Sequence, residues 1–300
     1  MEEFDFIIIG AGPAGLSAAQ YASRGGLKTL VIDLNVGGQL LQINELENYP
    51  GVFPGVNGFD FALKMKEQAK TFGVTFVEQM VLSLEKQGDY FTVKTSKAEY
   101  KGKCVLLSTG AVHKNLEVAG EKEHIGKGVS YCATCDGPFF RGKKIVVVGG
   151  GDSACSEAIY LSSLSDDVSI IHRRNEFRAQ KAIVEKMLKC GVKPVYDCVV
   201  KSINGETVVE SLTVENVKNG ETKNILCDGV FIFTGIVPQD SLVSDVKKDE
   251  NGFILCDEKM ETSVANLYVA GDLRSKEFRQ VVTAVNDGAV AAHSVIGKIK

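Results

Sequence analysis

The chain has no basic excess, no apolar run of membrane length and no second cysteine pair. Lys and Arg number 34 against 38 Asp and Glu, a formal net charge of −4. A nucleic-acid surface ordinarily needs a basic excess on at least one face, so no nucleic-acid partner is expected. No segment reaches the roughly 18 consecutive apolar residues that cross a bilayer. The opening residues, Met1-Glu2-Glu3-Phe4-Asp5, are acidic where a signal peptide is basic. A cytoplasmic location without membrane association is therefore the expectation. Eight cysteines in 300 residues are too dilute for a disulfide-stapled secreted domain. Two of them form Cys132-Ala133-Thr134-Cys135, and no further CxxC or HxxxH accompanies that pair. A structural zinc needs four ligands, so no metal is expected. Cys104, Cys155, Cys190, Cys198, Cys227 and Cys256 read as core fillers. His113, His124 and His293 have no partner pattern. What remains, 44% apolar and 24% charged residues, is the composition of a folded globular protein, long enough for two domains.

Glycine is plentiful, 31 residues, and clustered. The same unit occurs twice. Residues 4–33, FDFIIIGAGPAGLSAAQYASRGGLKTLVID, align without a gap with residues 143–172, KKIVVVGGGDSACSEAIYLSSLSDDVSIIH. Each begins with a short β-branched run, Ile7–Ile9 or Val146–Val148, as a buried parallel strand does. Each continues into a helix of small residues and then a second apolar strand, Thr29–Ile32 or Val168–Ile171. Gly10, Gly12 and Gly15 in the first copy match Gly149, Gly151 and Ala154 in the second. The first of each set permits the tight turn, the second a close approach of backbone N–H groups to a pyrophosphate, and the third helix–sheet packing. Pro13 and Ala14, and Asp152 and Ser153, fill the same turns, where a helix N-terminus faces the phosphates. Later strands ending in Ser108-Thr109-Gly110 and Phe233-Thr234-Gly235 extend the repeat, and at Thr109 and Gly110 the backbone can come close to a cofactor. The expected fold is α/β, with two Rossmann-like, three-layer nucleotide-binding domains.

The copies differ where their second strands end. The first ends in Asp33, a carboxylate placed to accept a ribose 2′-OH, as in FAD or NAD sites. The second ends in His172-Arg173-Arg174, with Arg178 one turn on, a cluster suited to a 2′-phosphate and hence to NADP; a solvated helix start is the alternative. Near the C-terminus, Leu267-Tyr268-Val269-Ala270-Gly271-Asp272 reads as a strand ending in Gly-Asp and leads, after Arg279-Gln280, to a helix from Val281 to Lys298. Asp272 there suits a ribityl hydroxyl, or else a turn or cap, and the helix N-terminus suits a flavin carbonyl. Nothing in residues 143–240 resembles this segment. A split first domain is therefore expected, 1–112 with 243–300, with 113–242 inserted.

In order along the chain stand GAGPAG (10–15), GGQL (37–40), ENYPG (47–51), STGA (108–111), CATCDG (132–137), GGGDSA (149–154), HRRNEFRA (172–179) and AGDLRSKEFRQV (270–281). The chain thereby resembles the low-molecular-weight, bacterial-type thioredoxin reductase family over essentially its whole length. The resemblance implies FAD in the first domain, NADPH in the second, a redox disulfide between Cys132 and Cys135, a homodimer, and thioredoxin as substrate. It implies that Gly37, Gly38, Gln39 and Asn48 contact the flavin side. It makes Cys135 the flavin-proximal sulfur, Cys132 the interchange thiol, and Asp136 the acid that protonates a departing thiolate or the reduced flavin region; as a residue, Asp136 also reads as a turn former. A thioredoxin-like N-terminal extension, seen in some relatives, is not expected. The alternatives are a dithiol oxidase and a reductase of another small dithiol protein.

Overall fold

The computed structural model describes residues 1–43, 45–46 and 48–300; Asn44, and Glu47 of the 47–51 motif, lie outside the described residues. The chain forms two compact units, Met1–Val112 with Val237–Lys300, and His113–Ile236.

The first unit opens with β1 (Glu2–Ile9), α1 (Pro13–Arg24), β2 (Thr29–Asp33), α2 (Gly58–Lys70), β3 (Thr75–Glu78), β4 (Val81–Gln87), β5 (Tyr90–Thr95) and β6 (Glu99–Leu107). β7 (Ala111–His113) then leads into the second unit. That unit contains β8 (Val129–Ser130), α3 (Ala133–Asp136), β9 (Ile145–Gly149), α4 (Asp152–Ser162), β10 (Val168–Ile171), α5 (Lys181–Lys189), β11 (Lys193–Val195), β12 (Cys198–Asn204), β13 (Ser211–Asn216), β14 (Thr222–Leu226) and β15 (Gly229–Phe233). The chain returns through β16 (Ile236–Pro238) and finishes with β17 (Leu267–Val269) and α6 (Val281–Ile299). The crossing strands β7 and β16 pair with each other.

Both units are built on a parallel sheet whose central strand follows the repeat. In the first, the order is β3-β2-β1-β6-β5-β4, and β17 pairs with the far end of β6. β1 and β6 run parallel with Ile7 opposite Val105 and Ile9 opposite Leu107. β4 and β5 join antiparallel. In the second unit the order is β11-β10-β9-β15-β8, all parallel, beside a separate antiparallel meander β12-β13-β14.

The β-branched runs are buried on both faces because each sheet is covered on both. Alternate residues of a strand point to opposite faces. Phe6 and Ile8 pack with α1 and α6, while Ile7 and Ile9 pack with β5 and the segment 242–273. In the second unit Ile145 and Val147 face α4 and α5, and Val146 and Val148 face the meander. Each fully buried Ile or Val contributes about 1.5–3 kcal/mol of transfer free energy. The small residues of α1 allow α6 to lie against it. A Cβ at Gly288 would sit 2.0 Å from the Ala14 carbonyl oxygen, and Ser17 Oγ donates to the Val285 carbonyl at 2.8 Å. Among the described residues, no helix is long and apolar enough to cross a membrane.

Candidate functional site

Strand-to-helix turns form the first part of the site in each unit. At Gly10, with φ of 105°, the chain leaves β1, and a Cβ there would lie 2.4 Å from the Ser108 carbonyl oxygen. A Cβ on Gly15 would lie 1.9 Å from the Gly10 carbonyl oxygen, so that position cannot carry a side chain without separating strand and helix. Gly12 and Gly151 differ from these. They cap α1 and α4 with ordinary φ values of −75° and −95°, make no side-chain cap, and have nothing within 4 Å of an ideal Cβ. The protein itself does not require glycine at either place. What a Cβ would occupy is the space in front of a helix N-terminus, where backbone N–H groups and partial positive charge favour a phosphate. Pro13 stands in the first turn of α1, where its missing N–H costs nothing.

Around Gly12 the other predicted residues of the first unit gather. A Cβ on Gly38 would come within 3.2 Å of the Gly12 Cα, and one on Gly271 within 3.0 Å of the Ala14 Cβ. Gln39 Nε2 donates to the Ala111 carbonyl at 3.1 Å and to Asp272 Oδ2 at 3.2 Å. Asn48 Nδ2 donates to Gln280 Oε1 at 3.1 Å. Gln280 caps α6 in a capping box with Thr283, and Val281 is the helix's first residue. Arg279 lies over the Phe253 ring at 4.0 Å, and its Nε donates to the Asp272 carbonyl at 3.4 Å. Asp272 Oδ1 is buried and has no hydrogen-bond partner among the described residues. Lys276 Nζ lies 3.7 Å from that oxygen, an ion pair too long to be a hydrogen bond, so a ligand hydroxyl can still supply the missing donor. Asp33, at the end of β2, accepts from the Ala11 N–H at 2.5 Å and the Asn35 N–H at 3.2 Å. It also lines a cleft of about 380 Å³ with Ala11, Val36, Lys66, Phe76 and Glu78.

Two residues that the sequence did not single out hold this set. Gln239 brackets Thr109: Thr109 Oγ1 donates to its carbonyl at 2.5 Å, and Gln239 Nε2 donates to the Thr109 carbonyl at 2.8 Å. The Gln239 N–H also donates to the Gly110 carbonyl at 3.0 Å. No local pattern marks it. Asp287, on the buried face of α6, accepts from the Gly271 N–H at 3.2 Å, Arg274 Nε at 3.1 Å and Lys276 Nζ at 3.0 Å. A carboxylate at helical spacing between Ala284 and Ala291 is a signal that could have found it.

In the second unit Ser153 and Ala154 follow Asp152 into α4. His172 is buried under the turn. A Cβ on Gly150 would lie 2.1 Å from its Nδ1, its ring stacks on Phe177 at 5.3 Å, and its Nε2 lacks a partner among the described residues. Burial holds its pKa below the ordinary histidine range, and Arg178 and Arg173 push the same way; backbone contacts with Glu176 and Gly149 oppose them. Arg173, Arg174 and Arg178 are exposed, and among the described residues their guanidinium groups have no protein hydrogen bond or ion pair. Three uncommitted cations at one strand end are a ready receptor for a dianion.

Upstream in the same unit, Cys132 and Cys135 are joined as a disulfide. Cys132 caps α3, and its Sγ accepts the Cys135 N–H at 3.2 Å. Ser130 Oγ accepts the Cys132 N–H at 3.1 Å. Burial pushes the Asp136 carboxyl above its ordinary value, against a hydrogen bond from Ser130. Glu121, missed by the sequence reading, is buried and holds Tyr131, the residue before Cys132. It accepts the Leu116 N–H at 2.8 Å, the Glu117 N–H at 2.7 Å and the Tyr131 hydroxyl at 2.8 Å. The other six cysteines are free thiols; Cys104, Cys155, Cys198 and Cys227 are buried and Cys256 partly so, but Cys190, which follows the last turn of α5, is exposed and is not the core filler expected. Burial raises Cys104 and Cys155 to about 11 and Cys227 to about 12.

Residues 4–288 match the model of the family described as pyridine nucleotide-disulphide oxidoreductase. The thioredoxin reductase of Treponema pallidum is 48% identical over 299 residues, 99% of this chain and 97% of its own. That of Bacillus subtilis is 42% identical over 296 residues, 97% of this chain and 93% of its own. The crystal structure of thioredoxin reductase from Streptococcus pyogenes is similar with a TM-score of 0.94 at 41% identity, over 99% of this chain and 98% of that one.

Proposed function

The chain belongs to the pyridine nucleotide-disulphide oxidoreductase family, and on that premise we propose that it is a thioredoxin-disulfide reductase driven by NADPH through FAD. The observation that carries the reading is the Cys132–Cys135 pair in the unit whose β10 ends in three uncommitted guanidinium groups.

We assign FAD to the unit formed by 1–112 and 237–300 and NADPH to the unit 113–236. When bound, these two groups supply the two-electron chemistry that converts the Cys132–Cys135 disulfide to a dithiol. The chain's own residues bind, orient and exchange. The N–H groups at the start of α1 hold the FAD diphosphate across Gly12. Asp272 Oδ1, which has no hydrogen bond among the described residues, takes a ribityl hydroxyl, and Gln39 and Lys276 keep that carboxylate oriented. The N-terminus of α6 offers partial positive charge to a flavin carbonyl. Asp33 offers its carboxylate to a ribose hydroxyl. In the other unit the start of α4 holds the NADPH diphosphate across Gly151, and Arg173, Arg174 and Arg178 hold the 2′-phosphate.

With the pair reduced, the Cys132 thiolate attacks one sulfur of the thioredoxin disulfide, and the other thioredoxin sulfur leaves as a thiolate. The Cys135 thiolate then attacks Cys132 in the mixed disulfide. This re-forms the intramolecular bond and releases thioredoxin as a dithiol. Asp136, whose burial favours its protonated form, supplies a proton to a departing thiolate. An N–H directed at Cys132 Sγ, as the Cys135 amide is, stabilises a thiolate there. We further infer a homodimer, from the family. We infer a cytoplasmic setting, because six cysteines are left as free thiols, as reducing compartments leave them.

The test is NADPH oxidation by the purified flavoprotein with thioredoxin. Turnover is expected, and its absence would overturn the proposal. Cys132→Ser should keep NADPH-dependent bleaching of the flavin while thioredoxin turnover falls on the order of a thousandfold or more.

A further inference from the structure

A carboxylate at the first position of α4 suits the helix dipole but not an anionic ligand. Asp152 follows directly on Gly151, beside the place assigned to a diphosphate, where its charge repels the ligand. The structure gives it another engagement. Asp152 Oδ1 accepts the backbone N–H of Gln180 at 2.7 Å, and its Oδ2 accepts Gln180 Nε2 at 3.2 Å. Gln180 is the N-cap of α5 and ends the loop that carries all three arginines. Two residues earlier, the Arg178 N–H donates to the Gly150 carbonyl at 2.8 Å. The near end of the loop is pinned as well. The His172 N–H donates to the Val195 carbonyl at 2.9 Å, and the Asp197 N–H to the Arg174 carbonyl at 3.2 Å. Of these four points, two tie the loop to the glycine turn, and Asp152 makes one of them with both carboxylate oxygens. The guanidinium groups themselves have no protein partner among the described residues, so only the backbone positions them.

We propose that Asp152 is a positioning residue for coenzyme selection: it touches no part of the nucleotide, and it bolts the arginine loop to the diphosphate turn so that the guanidinium groups meet the 2′-phosphate in register. The inference rests on the assignment of that loop to NADPH. It places discrimination between NADPH and NADH partly in a residue that bonds to neither.

The experiment measures kcat and KM for NADPH and for NADH with the flavin-loaded enzyme and saturating thioredoxin. Asp152→Ala leaves Gln180 without its acceptor. It should raise the NADPH KM about tenfold, the size of effect lost with one charge-assisted hydrogen bond. The NADH KM should move less than about threefold, and kcat for NADPH should stay near wild type. Asp152→Asn keeps an oxygen for the Gln180 N–H and removes the charge. It should retain the preference and bind both nucleotides as well as or better than wild type. Equal losses for both nucleotides in Asp152→Ala, or an undiminished preference, would overturn the inference while leaving the NADPH assignment intact. A wild-type enzyme that takes NADH as readily as NADPH would instead remove the assignment beneath it. Asp152 is exposed, so neither variant threatens the fold.

Discussion

The two units start from one βαβ design and finish it differently. In both, a strand of β-branched residues turns through glycine into a helix with a bare N-cap, and a second parallel strand follows. At the end of that second strand the first unit has a carboxylate already held by two backbone N–H groups, Ala11 and Asn35. The second has guanidinium groups that, among the described residues, are held by nothing but the loop beneath them. A fixed acceptor suits a ligand that stays, as a bound flavin does. Free cations on a pinned loop suit a charged ligand that must arrive and leave each cycle. The comparison teaches that the shared turn supplies affinity for any dinucleotide, and the strand end supplies identity.

That division can be broken at several points. Replacing Arg173 and Arg174 together with Ala should raise the NADPH KM on the order of a hundredfold or more, at roughly 1.5–3 kcal/mol for each charged hydrogen bond. NADH kinetics should hardly change, and equal losses for both would mean that the strand end does not select. Gly12→Ala and Gly151→Ala sharpen the contrast from the other side. Each fills open space without straining the backbone, so the apoprotein should lose no more than about 1 kcal/mol in chemical denaturation. Gly12→Ala should weaken FAD retention by about tenfold to a hundredfold by equilibrium dialysis. Gly151→Ala should weaken NADPH and NADH alike by a similar factor. Asp33→Ala should cost FAD about tenfold and leave the NADPH KM alone; a change in the NADPH KM would blur the two sites. The smallest effect concerns Asp136, whose raised pKa means that the folded state prefers its protonated form. Its ionisation therefore costs stability as the pH rises above the unfolded value near 3.8. Asp136→Asn should raise the Tm at pH 7, and the gain should vanish near pH 3, where both side chains are neutral.

The duplication was legible because glycine spacing, β-branched runs and a gap-free alignment all reflect the same packing constraint. The strand over 168–171 falls where those patterns put it, and the last helix starts at Val281, as read from the segment after Arg279-Gln280. The pairing of Cys132 with Cys135 came through the resemblance. What stayed hidden depends on contacts distant in the chain. The meander β12–β14 carries no repeat signal, and its alternation is diluted by exposed edges. Gln239 matters only because it pairs with Thr109, 130 residues away. Asp33 shows the limit from the other direction: its position marked it as a ligand group, but its bonds to the glycine turn required coordinates. The second crossing into the first unit lies at 236/237, where β16 pairs with β7. The sequence expectation for that boundary was 243, because a three-residue strand between two loops leaves no periodicity to read.

The burial of three of the spare thiols has a consequence for repeated turnover. At neutral pH, Cys104, Cys155 and Cys227 are almost wholly in the unreactive S–H form, since their pKa values lie near 11 to 12. A chain that makes and breaks a sulfur–sulfur bond every cycle thus keeps these three out of the exchange. Oxidising equivalents passing through it have no easy side exit into these three.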